Sequence, residues 1–94
     1  MTDQLQGRAA IVTGAGSVGP GWGNGKATAA IFAREGAQVL CVDINMNAAQ
    51  ETAEIITGEG NRAVAFQCDV TDSAQVKSMV ETCKREFGSV DILH

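Results

Sequence analysis

The apolar positions of the chain fall into short continuous runs separated by stretches with helical spacing. Ala9-Ala10-Ile11-Val12 and Gln38-Val39-Leu40-Cys41-Val42-Asp43 are apolar almost throughout and do not alternate. Such runs mark strands covered on both faces, as in a parallel sheet. Arg62-Ala63-Val64-Ala65-Phe66-Gln67-Cys68-Asp69 reads as a third strand, and Val90-Asp91-Ile92-Leu93-His94 begins a fourth.

The intervening segments predict helices. Ala27 to Glu35 is rich in helix formers and is closed by Gly36, a C-cap residue. A second helix starts at Asn45 or Asn47, the latter with Gln50 at capping-box spacing. Ala49, Thr52 or Ala53, and Ile56 give it one apolar stripe, and Gly58-Glu59-Gly60-Asn61 stops it. A third starts at Asp72 with Gln75 at the capping-box position and carries Val76, Met79, Val80, Cys83 and Phe87 at helical spacing. On its outer face Glu81 precedes Arg85 by four residues, the favourable order for a solvated pair, and Gly88-Ser89 ends it.

The order βαβαβαβ implies right-handed crossovers and a parallel sheet, with strand order 3-2-1-4. The expected fold class is α/β, the first half of a doubly wound Rossmann-type sheet. Residues 1–94 form one small domain that reads as truncated just after its fourth strand begins.

Between the first strand and the first helix lies Thr13-Gly14-Ala15-Gly16-Ser17-Val18-Gly19-Pro20-Gly21-Trp22-Gly23-Asn24-Gly25-Lys26. It holds six of the 11 glycines and the only proline and tryptophan, so the chain concentrates its backbone freedom there. A strand, a glycine loop and a helix N-terminus together present N–H groups and positive dipole to a phosphate. Glycine lets the backbone approach a pyrophosphate and supplies positive φ. The literal G-x-G-x-x-G is Gly14, Gly16 and Gly19, but that register starts the helix at Pro20 and buries three glycines in its first turns. Each would cost about 1 kcal/mol relative to alanine. The preferred register makes Gly14 the tight turn, treats Val18 to Trp22 as an inserted loop, and leads into the helix through Gly23-Asn24-Gly25, with Asn24 near the N-cap.

Two acids end strands beside this loop. Asp43 follows Gly25 by 18 residues and Gly14 by 29. A carboxylate there can accept from both hydroxyls of an adenosine ribose and repels a 2′-phosphate, or it can simply begin the turn into the next helix; beside the glycine loop the first reading is preferred and points to NAD. Asp69 and Val70 close the third strand at the ligand-binding edge of such a sheet. Asp69 can accept from an adenine amino group while Val70 packs on the ring, or Asp69 can simply open a turn. Trp22 can lie over a ligand or anchor the inserted loop. FMN fits less well, because Asp43 suits a ribose diol.

Composition narrows the classes. The chain is 45 % apolar and 19 % charged, ordinary for a globular domain, and its net charge of -4 disfavours nucleic acid or an anionic membrane. No run reaches the length of a membrane span and the N-terminus has no signal-peptide pattern. Cys41, Cys68 and Cys83 lie at irregular spacing in apolar runs, as reduced core thiols of a cytoplasmic protein would, and no metal site is expected.

Thr13-Gly14, Gly23-x-Gly25, Val42-Asp43, Cys68-Asp69-Val70 and Val90-Asp91-Ile92-Leu93, taken in this order and at these intervals, resemble the short-chain dehydrogenase/reductase family over essentially the whole chain. The resemblance implies that Gly14, Ser17, Gly23, Asn24 and Gly25 hold the pyrophosphate and adenosine ribose. It also implies that Asp43 selects NAD with Ile44 beside the adenine, and that Asp69 and Val70 form the adenine pocket. The implied activity is hydride transfer between NAD(H) and an alcohol or ketone. In the family the Asn-Asn-Ala-Gly-like stretch, the catalytic Ser and the Tyr-x-x-x-Lys all come after the fourth strand. This sequence has no tyrosine, so no catalytic residue is assigned and the chain alone is expected to be inactive. The alternative is a stand-alone or truncated dinucleotide-binding module. The expected partners are NAD(H), a small alcohol or ketone in the full-length parent, and further copies of the chain, since the cut leaves a sheet edge unpaired.

Overall fold

The computed structural model describes residues 5–16 and 24–94, with Asn24 described by its backbone only. Among them are β1 (Ala9–Thr13), α1 (Asn24–Arg34), β2 (Gln38–Asp43), α2 (Met46–Gly58), β3 (Ala63–Gln67), α3 (Ser73–Phe87) and β4 (Ile92–Leu93). The strands form one parallel sheet in the order β3-β2-β1-β4, the order expected from the sequence.

The alternation of side chains along β1 and β2 divides the core in two. Ala10, Val12, Val39 and Cys41 pack on one face with Ala29 and Ala33 of α1 and with Ala53 and Ile56 of α2. Ile11, Leu40 and Val42 pack on the other with Met79 and Cys83 of α3. Both central strands are therefore covered on two sides, which is why they are apolar throughout. The face under α1 and α2 is built largely of alanine, and small side chains let those helices lie close to the sheet.

Helix ends follow local chemistry. Asn45 is the N-cap of α2 and its side chain accepts from Ala48 N–H at 3.2 Å, so Asn45 wins over Asn47, which sits inside the helix. Gln50 faces Glu54 instead, at 3.3 Å. Asp72 caps α3, accepting from the N–H groups of Ala74 and Gln75. Gly36 and Gly88 follow α1 and α3 with φ of 102° and 89°, the left-handed conformation that glycine adopts at helix ends. Asn24 is already the first helical residue of α1, one position further in than an N-cap. On α3, Arg85 lies against Glu86, at 3.9 Å, and not against Glu81 as the spacing predicts.

β3 is shorter than the apolar run. Its ladder continues to Cys68, whose N–H reaches Asp43 O at 3.0 Å, but Asp69 then turns to bond Thr71. As an edge strand it is only half buried. β4 is short, yet flanking bonds extend it: Asp91 N–H to Ala9 O, His94 N–H to Ile11 O, and Thr13 N–H to His94 O.

Candidate cofactor site

The C-terminal ends of β1, β2 and β3 open onto a cleft of about 430 Å³. Thr13 and Gly14 line it from β1, Asp43 and Ile44 from β2, and Cys68, Asp69 and Val70 from β3. Gly14, Asp43, Ile44, Asp69 and Val70, separated by up to 56 positions in the chain, thus share one opening. Parallel strands direct their carboxyl ends to the same side, so chain-distant acids meet there.

Gly14 turns the chain out of β1 with φ of 64°, and no described atom lies within 4 Å of where its Cβ would stand. Gly25 is the opposite case. A Cβ there would run into the carbonyl oxygen of Gly14, and would lie 2.6 Å from its carbon and 3.2 Å from Ala15 Cα. The first turn of α1 is therefore seated directly on the turn after β1. That turn carries no acidic residue, so nothing in it opposes a negatively charged group at its positive end.

Asp43 is 7 % exposed. Its Oδ2 accepts from Gly16 N–H at 3.0 Å and its Oδ1 from Asn45 N–H at 2.9 Å. A carboxylate has about four acceptor positions, so each oxygen keeps room for one further donor. Asp69 uses Oδ1 for the N–H and the hydroxyl of Thr71, at 2.9 and 2.7 Å. These two bonds hold its carboxyl below the usual carboxylate range. Its other oxygen has no donor among the described residues. The Asp69 N–H donates to Gln75 Oε1 at 2.8 Å, which sets the third wall of the cleft against α3.

Ile44 and Val70 are large apolar side chains left 65 % and 54 % exposed at the rim. Two such side chains beside one cleft can enclose a flat apolar ring. Cys68 is buried beside them, and burial followed by the charges of Asp69 and Asp72 pushes its thiol up, so it stays protonated at neutral pH.

Ser17, Gly23 and the segment from Val18 to Trp22, expected from the sequence to be an inserted loop, lie outside the described residues. Asn24 contributes a backbone N–H at the helix start. Gly16 and Thr52 are two further residues of the site that the motifs of the preferred register do not mark. The preferred register gives Gly16 no role, yet its N–H is bonded to Asp43, and a Cβ on it would strike Ala48 of α2. The glycine spacing was the signal. Helical spacing assigns Thr52 to an apolar stripe, whereas its hydroxyl donates to the Ala15 carbonyl at 2.9 Å.

The family model described as short chain dehydrogenase matches residues 8–94. The chain belongs to this family. It is 38 % identical over 90 residues to D-threitol dehydrogenase of Mycolicibacterium smegmatis (strain ATCC 700084 / mc(2)155), covering 96 % of this chain and 33 % of that protein. The same figures hold for 7alpha-hydroxysteroid dehydrogenase of Escherichia coli (strain K12). The solved structure of 7alpha-hydroxysteroid dehydrogenase complexed with NADH and 7-oxo glycochenodeoxycholic acid superposes with a TM-score of 0.89 at 37 % identity, over 98 % of this chain and 34 % of that one. The chain spans about a third of the length of these two curated relatives. Short-chain dehydrogenases are oxidoreductases that use nicotinamide cofactors, and the likeness extends over nearly all of this chain.

Proposed function

We propose that these residues form the NAD-binding part of an oxidoreductase that moves hydride between NAD(H) and a small alcohol or ketone. The observation that carries this reading is Asp43. It is a buried acid at the end of β2, fixed by two backbone N–H groups, and it opens onto a cleft shared with Gly14 and Asp69.

On this reading Gly14, Ser17, Gly23, Asn24 and Gly25 bring backbone and α1 to the pyrophosphate. Asp43 accepts from the ribose diol through the free positions of its two oxygens. Ile44 and Val70 hold the adenine faces, and Asp69 accepts from the adenine amino group through Oδ2. When bound, the nicotinamide supplies the hydride chemistry, and the chain's own residues bind and orient. The fit is supported by the acid-free first turn of α1 seated on the Gly14 turn, and by the open space at the Gly14 Cβ position.

A polypeptide of these residues is expected to bind without turning over, because proton transfer in the family is implied to rest on a Tyr-x-x-x-Lys and the sequence holds no tyrosine. Association with further copies of the chain belongs to the same proposal, and three free buried thiols suit the cytoplasm. No helix among the described residues is long and apolar enough to cross a membrane.

Titrating NADH and NADPH fluorescence against the chain tests the cofactor choice. NADH is expected to bind more tightly, and Asp43→Ala to narrow the gap. Equal affinities in the unaltered chain would remove Asp43 from its proposed role.

A further inference from the structure

Thr52 is a polar side chain only 1 % exposed, on the buried stripe of α2. Its hydroxyl donates to the Ala15 carbonyl at 2.9 Å, with the Ala48 carbonyl at 3.3 Å as a weaker second acceptor. The Ala15 carbonyl belongs to the same peptide unit as the Gly16 N–H, which donates to Asp43 Oδ2 at 3.0 Å. One planar peptide is thus gripped at both polar ends, by α2 on one side and by the last residue of β2 on the other. Ala15 is held further by its own N–H, bonded to Val42 O at 2.9 Å. Ala48, one helical turn before Thr52, closes the space beside Gly16, where an added Cβ would lie 3.0 Å from the Ala48 carbonyl carbon.

We propose that Thr52 is a positioning residue of the dinucleotide site: by holding the Ala15 carbonyl it aims the Gly16 N–H at Asp43 and so fixes the carboxylate that receives the ribose. The cofactor arm of this proposal rests on the reading of Asp43 given above. In a trans peptide the C=O and N–H point in opposite directions, so a carbonyl released from Thr52 swings the N–H away from Asp43. Among the described residues Asp43 then keeps the Asn45 N–H on Oδ1 alone, and it can rotate. Its charge still repels a 2′-phosphate, but its hydrogen bonds to a ribose diol lose their fixed geometry. NADH therefore loses more than NADPH does.

The test is a double-mutant cycle read with both cofactors, together with the Gly16 amide resonance in ¹H–¹⁵N spectra of the chain without ligand. Thr52→Val keeps the shape and removes the donor, while Thr52→Ser keeps the donor. Thr52→Val is expected to weaken NADH about five- to tenfold, the order that follows when a buried carbonyl loses its partner, and NADPH less. Thr52→Ser is expected to stay within about twofold of the unaltered chain, since the bond is kept. In an Asp43→Ala background Thr52→Val should add nothing. The Gly16 amide should move upfield with Thr52→Val and return with Thr52→Ser. Equal weakening of both cofactors, or equal weakening with and without the Asp43 carboxylate, would overturn the proposal, because a merely stabilising Thr52 predicts that. An unmoved Gly16 amide would overturn the grip on the peptide itself. If Asp43→Ala leaves the NADH-to-NADPH ratio unchanged while the amide still moves, the ribose reading and the cofactor arm fall together and only the peptide grip stands.

Discussion

Gly25 faces Gly14 so closely that a Cβ on the first would overlap the carbonyl oxygen of the second. The obstacle is backbone on both sides, with no flexible side chain to give way. Gly25→Val is therefore expected to lose NADH binding and to destabilise the chain by about 3 kcal/mol, the upper end for overpacking. Gly58 is the control. It ends α2 with nothing within 4 Å of its Cβ position, so Gly58→Ala should raise stability by roughly 0.5–1 kcal/mol through a less flexible unfolded chain. Thermal melts of both variants check the pair. A Gly25→Val chain that melts with the unaltered one would contradict the packing.

Most of the fold is legible in the sequence because its determinants are local. The continuous apolar runs at Ala9 and Gln38, the cap at Asp72 and the stops at Gly36 and Gly88 each act within a few residues. Asp43 at the end of β2 and Asp69 two residues past β3 both line the cleft, because parallel strands direct their carboxyl ends to one side. The grip on the Ala15–Gly16 peptide was not legible, because it joins positions 27 and 37 apart on different elements. Glycine spacing alone does not tell a glycine that admits a ligand from one that admits a helix, and here Gly16 admits Ala48. The capping box at Asp72 forms at its first half only. The Asp72 N–H is already bonded to Asp69 O at 3.0 Å, so the Gln75 carbonyl takes the Asp69 N–H instead.

Asp91 ties the start of β4 to the start of β1. Its Oδ2 accepts the Ala9 N–H and the Ser89 hydroxyl, each at 2.9 Å. These bonds, with a smaller contribution from Arg8, hold its carboxyl below the usual carboxylate range. A carboxyl depressed on folding contributes stability that is complete above its unfolded value, about 3.9, and is lost as the pH falls through the folded value. Urea midpoints should therefore fall as the pH is lowered from about 5, where the unfolded carboxyl begins to take up its proton. Asp91→Asn should start lower at neutral pH and fall less steeply. Asp69 and Glu59, depressed in the same direction, keep some acid sensitivity in the variant. Identical acid slopes in the two chains would count against the Asp91 tie.

All three cysteines are buried free thiols. Burial pushes Cys41 up to about 12, and raises Cys68 and Cys83 as well. The folded chain should show no fast reaction with a thiol reagent at pH 8, since thiolate and access are both lacking. Labelling should instead follow opening of the structure, with Cys68 at the cleft ahead of Cys41 in the centre of the sheet. A stoichiometric burst at Cys41 in the absence of denaturant would show the core to be looser than its packing.

The most direct measurement of the central claim is a ¹H–¹⁵N map of the chain titrated with NADH. The cleft reading predicts saturable shifts at the amides of Gly14, Gly16, Asp43, Ile44, Asp69 and Val70, the residues that line or hold the cleft. Glu54, Thr57 and Lys84, on the outer helices, should stay still. Saturable shifts confined to those helices, or no shifts at millimolar NADH, would contradict it.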